Sequence, residues 1–129
     1  MSTLRTNALE GVDAKNSITI VAGAGNVTTT NVEQGLAKVW VQFDGQASGA
    51  ASRDSFNVGS MTDGGTGNYT VNFSNNMSND DYASAGIGNT STITSEAVTT
   101  STLNTLSANS SGSLADVTIM AASILGDLA

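Results

Sequence analysis

The chain has 129 residues, a formal charge of −7 and neither cysteine nor histidine. Its only cations, Arg5, Lys15, Lys38 and Arg53, supply no basic stripe to neutralise phosphates, which argues against nucleic acid as a partner and against binding to an anionic membrane. Without Cys or His there is no disulfide, no thiolate nucleophile, and neither the commonest general base nor the commonest transition-metal ligand, so no cofactor is expected.

Hydrophobic residues make up 39 % of the chain, whereas Ser, Thr, Asn and Gly together number 61. That balance suits short strands joined by polar turns in a single domain. It also leaves one copy short of apolar burial, so association of copies is expected to contribute to stability.

Residues 1–33 look unlike the rest of the chain. MSTLRTNALEG (1–11) lacks the apolar run of a secretory leader. SITIV (17–21) is a candidate strand, AGAGNVTTTNVE (22–33) reads as loop, and the segment is expected to be an extended attachment arm. GAGN (23–26) has neither the third glycine of a dinucleotide fingerprint nor the lysine of a phosphate-binding loop. Residues 34–129 are expected to form the folded module.

In GLAKVWVQFDG (35–45), Ala37, Val39, Val41 and Phe43 alternate with Lys38, Trp40, Gln42 and Asp44. This period of two predicts a half-buried strand. Trp40 falls on the otherwise polar face, where it either packs against a neighbouring subunit or stacks on a ligand; packing is the expectation. SGAAS (48–52) reads as loop, and RDSFNVGSM (53–61) as one strand with Phe56 and Val58 facing the same way. TDGGTGN (62–68) is a turn cluster. Tyr69, Val71 and Phe73 then alternate with Thr70, Asn72 and Ser74, which predicts the return strand of a β-hairpin.

The polar connection from Ser74 to Asp81 leads into DDYASAGIG (80–88), a further candidate strand. Residues 89–112 are rich in Ser and Thr, which favours strand over helix. At the C-terminus, Leu114, Val117, Ala121, Ile124 and Leu128 fit a heptad pattern, with Ser113 and Asp116 as a capping box. Periodicity slightly favours that helix. The alternative is a strand over 117–125 with Val117, Ile119, Ala121 and Leu125 on one face. VTIMAASILG (117–126) falls far short of the ~20 residues needed to span a bilayer. A soluble protein made in a cytoplasm is expected.

Glycan cleavage needs two carboxylates roughly 5 to 10 Å apart; Asp44, Asp54, Asp63, Asp80 and Asp81 are the candidates, and their turn and edge positions read as solvated surface. Calcium would use Asp63 with loop carbonyls, or Asn79, Asp80 and Asp81, but the turn reading is favoured. Sugar recognition would use an exposed aromatic: Tyr69 continues a core face, which leaves Trp40 and Tyr82, with Asp80 and Asp81 as neighbouring polar contacts.

GLAKVWVQFDG (35–45), RDSFNVGSMTDGGTGNYTVNF (53–73) and NDDYA (79–83) resemble, in order, the C-terminal module of bacteriophage tail-fibre-type virion proteins common in marine phages. ASILGD (122–127) is similar to that family's closing strand and MSTLRTNALEG to its short N-terminal segment. The resemblance is closest over 34–85 and carries no catalytic motif. It implies a β-rich trimer on the virion surface and a strand, not a helix, at the C-terminus. The chain departs from longer fibres in lacking a shaft. The expectation is therefore an all-β, antiparallel, jelly-roll-like sandwich with an N-terminal arm. It would be a non-enzymatic homotrimer in the virion, contacting other virion proteins through the arm and in one version a bacterial surface glycan. A capsid decoration protein is the nearest alternative.

Overall fold

A computed structural model describes Thr6 and residues 19–22, 28–31, 35–89 and 92–129, with the backbone alone for 19–22, 28–31 and 92–97. The chain divides into two compact units, residues 1–36 and 37–129.

In the first unit β1 (Thr19–Ala22) and β2 (Thr28–Asn31) form an antiparallel pair, Thr19 opposite Asn31 and Ala22 opposite Thr28. Residues 28–31, expected in a loop, are a strand: three successive threonines are β-branched and favour extended backbone. Apart from Thr6, which is exposed, the rest of the expected arm lies outside the described residues.

The second unit contains β3 (Ala37–Asp44), β4 (Ala51–Phe56), β5 (Val58–Asp63), β6 (Asn68–Phe73), β7 (Ala83–Gly88), β8 (Thr92–Val98), β9 (Thr102–Ala108) and β10 (Met120–Leu125). They make two four-stranded antiparallel sheets, ordered β4-β3-β10-β7 and β5-β6-β9-β8. The protein is thus all-β in its described elements.

The expected hairpin is present: β5 pairs with β6, Asp63 opposite Tyr69. RDSFNVGSM, by contrast, is two strands in different sheets. Asn57 between them has φ 58°, a left-handed conformation that Asn tolerates better than most residues, and there the chain leaves the first sheet for the second. Its side chain bridges the crossing, accepting from Asn75 N at 2.8 Å and donating Nδ2 to the Asn75 carbonyl at 3.1 Å.

The C-terminal segment is the strand β10, not a helix. It lies between β3 and β7, so its backbone completes two ladders, and those hydrogen bonds outweigh a weak helical periodicity. The buried face is Met120, Ala122 and Ile124; Ile119 and Leu125 lie on the outer side. Of the residues expected on one face of a strand, Ile119, Ala121 and Leu125 do share a side, and it is the outer one. Val117 is buried, but ahead of the strand, where its carbonyl accepts from Gly45 N at 2.9 Å.

Inward residues of both sheets share one core: Val39, Val41, Phe43, Met120 and Ile124 from the first, Tyr69, Val71 and Leu103 from the second. The Phe43 and Tyr69 rings meet edge to face, centroids 5.2 Å apart. Each fully buried large apolar side chain contributes about 1.5–3 kcal/mol. Part of the interior is polar. Thr105 and Ser107 point inward from β9, and their hydroxyls donate to the Tyr69 and Ala115 carbonyls, which removes most of the cost of burying them.

Candidate interaction surface

The outer face of the β4-β3-β10-β7 sheet is built by the alternation that builds the core. With Val39, Val41 and Phe43 turned inward, Trp40 and Gln42 face out. The register sets Trp40 between Phe56 on β4 and Ser123 on β10, with Ala85 of β7 beyond Ser123. The next outward row runs Asp54, Gln42, Ala121, Ile87. Ile87 is 70 % exposed, Phe56 51 % and Trp40 37 %.

Between the Trp40 and Ile87 side chains the small residues Ala85, Ala121 and Ser123 leave an open trough of about 440 Å³, lined chiefly by carbon. Large apolar groups on a solvent-facing sheet are unusual in numbers, and a contiguous group of them marks an interaction site. Chemically the trough offers desolvation and one indole face, with Gln42 and Ser123 as its polar contacts.

The expected site residues are not brought together. Trp40 lines the trough; Tyr82, Asp80 and Asp81 do not. Tyr82 is half-buried and packs edge to face on Phe73, centroids 6.1 Å apart, and its hydroxyl donates to the Thr102 carbonyl at 2.9 Å. Burial pushes that hydroxyl's pKa up. A ring held in this way presents no free platform to a sugar. Asp80 and Asp81 are exposed in the loop before β7, where Asp81 N donates to Asn79 Oδ1 at 3.0 Å, a local turn.

The other acidic candidates are similarly engaged. Asp63 Oδ1 accepts from Gly65 N at 2.8 Å in the β5–β6 turn, and Asp54 Oδ1 accepts from Ser55 N at 2.8 Å. Asp44 Oδ2 pairs with Arg53 at 2.7 Å, and that guanidinium holds its carboxyl below the usual range, helped by Gln46 N–H. Among the described residues no group of three or more acidic side chains is placed to hold a metal ion.

Asp116 has a role that its sequence position does not suggest. Instead of capping a helix, its Oδ1 accepts from the Tyr69 hydroxyl and from Gly67 N, each at 2.7 Å. The hydroxyl, then the amide, hold its carboxyl below the usual carboxylate range. Ile87 is a surface residue that sequence reasoning does not single out, and Phe56, expected to face the same way as Val58, is exposed on one sheet while Val58 packs against the core from the other. The alternation of Phe56 with Arg53 and Ser55 contains the signal, but only the sheet order puts Phe56 beside Trp40.

Comparison of the chain with family models, with curated proteins and with solved structures returned no match.

Proposed function

We propose that this is a bacteriophage virion structural protein of the tail-fibre type, non-enzymatic, whose work is association with copies of itself and with neighbouring virion proteins. The observation that carries this reading is the exposed apolar outer face around Trp40 and Phe56. Such a face costs solubility in a free subunit and becomes stabilising once covered, at about 25 cal/mol per Å² of apolar area removed from water. The ordered resemblance of 34–85 to tail-fibre modules supports the virion assignment and three copies per assembly. Closed cyclic symmetry then presents equal sets of polar loops outward. We read the two sheets as a sandwich that is jelly-roll-like in one respect: the chain passes repeatedly between two four-stranded antiparallel sheets. The first unit serves as the attachment arm.

Mass spectrometry of purified particles separated into tails and capsids tests the assignment. Recovery with tails is the expected outcome. Recovery with capsids alone would replace it by a decoration role, and absence from both would remove the virion reading altogether. A lectin-like tip is the second reading, favoured by the indole of Trp40 beside Gln42 and Ser123 in the trough. It requires saturable binding on a glycan array that Trp40→Ala abolishes.

A further inference from the structure

The trough on the outer face of the β4-β3-β10-β7 sheet is apolar along its floor and acidic at one end. Ala85, Ala121 and Ser123 are small and leave the room that Trp40 and Ile87 bound on either side. The row Asp54, Gln42, Ala121, Ile87 crosses all four strands. Asp54 therefore stands three strand spacings from Ile87, ~14 Å at about 4.8 Å each. It is exposed, as is Phe56, which lies beside Trp40 on the side away from the trough.

The two cations of the second unit are engaged elsewhere. Lys38 is buried, and Arg53 pairs with Asp44 at 2.7 Å. Residues 37–129 contain eight Asp and Glu residues. A positively charged occupant thus gains from the field of the whole module as well as from Asp54, and a negatively charged one loses on both counts.

We propose that the trough is a docking site for an arginine side chain on a basic segment of another protein. The assignment rests on the reading of the outer face as a contact surface and names what its trough takes. An arginine has an apolar stem and a charged head, which matches a carbon-lined floor that leads to a carboxylate. The stem lies over Ala121 and Ala85. The guanidinium stacks on the Trp40 indole, the aromatic face that attracts cations best, and donates to Gln42 Oε1 and to Asp54. Lysine fits less well, because its ammonium is more strongly hydrated and has no plane to stack. A second copy of this chain, at −7, brings mostly the wrong sign. Contact between copies around Phe56 uses the other side of Trp40 and leaves the trough free for this partner.

Trp40 is the only tryptophan of the chain, so its emission reports on the trough directly. The probes are a blocked pentapeptide, Leu-Thr-Arg-Thr-Leu, and the same peptide with citrulline for arginine, which keeps the stem and the plane but carries no charge. The arginine peptide is expected to shift Trp40 emission saturably in the millimolar range. The citrulline peptide should bind at least about threefold more weakly, and added salt should weaken only the arginine peptide. Asp54→Asn, at an exposed position, should lower affinity for the arginine peptide about twofold or more. Ala121→Leu, which fills the floor, should lower affinity for both peptides.

No saturable shift with the arginine peptide, equal affinity for the citrulline peptide, or undiminished affinity in either folded variant would each overturn the docking site. Tighter binding of a peptide of residues 1–11 of this chain, which includes Arg5, would overturn the foreign partner in favour of the chain's own segment. Native mass spectrometry without peptide keeps the two readings apart. A monomer that still binds the arginine peptide counts against contact between copies alone, and an assembly of copies that does not bind it counts against the docking site alone.

Discussion

The Tyr69 hydroxyl lies 2.7 Å from Asp116 Oδ1 and 3.1 Å from the Gly45 carbonyl. It ties the start of β6 to the segment before β10 and to the turn after β3, and so links the two sheets at one end. The ring is fully buried, whereas the carboxylate it reaches is exposed. Tyr69→Phe keeps the packing and removes the hydrogen bond. Urea unfolding is expected to show a loss of about 1 kcal/mol, below the upper range for charged partners because Asp116 is solvated.

The same contact predicts an acid dependence. The native carboxyl of Asp116 titrates below its ordinary value of 3.8, so its stabilising contribution is present above that value. It is lost as pH falls through the lowered native one. Asp116→Asn should therefore be less stable than the parent at neutral pH. The gap should close below about pH 4, as measured by urea midpoints at a series of pH values.

Both tyrosines of the chain, Tyr69 and Tyr82, have pKa values raised above 10, in each case chiefly by burial. Their contribution to stability is complete below 10 and is lost as pH rises through the raised native values. Absorbance at the tyrosinate band should thus stay flat through pH 10 in the native protein and rise together with the loss of near-ultraviolet dichroism. A normal titration at pH 10 in folded protein would contradict the packing of both rings.

Gly67 has φ 66°, and a Cβ there would meet the Ser107 carbonyl and the Ala115 amide. These atoms are backbone and cannot rotate away. Gly67→Ala is expected to cost about 2 kcal/mol or more, combining left-handed strain with the clash. Gly65→Ala, at φ 106° but with open space around it, bears the strain alone and should cost less. Thermal melts of the pair separate the two effects.

Core and surface aromatic residues should respond in opposite ways. Phe43→Ala removes a completely buried ring and should destabilise the subunit by about 3–5 kcal/mol. Trp40→Ala, on the outer face, should change subunit stability by less than about 1 kcal/mol while lowering the mass of the assembly. Chemical denaturation and light scattering on the same samples check both. An unchanged assembly mass in Trp40→Ala would remove the packing role proposed for that residue.

Much of this architecture is legible along the chain, and the particular residues show why. The alternation from Val39 to Asp44 and from Tyr69 to Phe73 is a local consequence of the pleat, so β3, β6 and the β5–β6 hairpin are readable from composition and spacing alone, although at the start of β3 the expected sides are exchanged: Lys38 is buried and Ala37 exposed. At β10 the pattern fails, since VTIMAASIL satisfies either helical or strand periodicity and, as a strand, two opposite choices of inner face. Burial between β3 and β7 decides both questions.

Trp40 stands out in the sequence as an apolar residue on a polar face, yet the surface that gives it meaning does not. Its neighbours Phe56, Ser123 and Ala85 come from three other strands, brought alongside by ladder pairing. Asp116 reads as a helix cap until the fold carries Gly67 to it across 49 positions. The sequence alone determined the class of the fold, its lack of thiol and imidazole chemistry and which side chains alternate, because these depend on residue identity and on the two-residue repeat of extended backbone. Tertiary structure decided which face is inside and which carboxylate is bound, because each depends on partners that only long-range hydrogen bonding brings into contact.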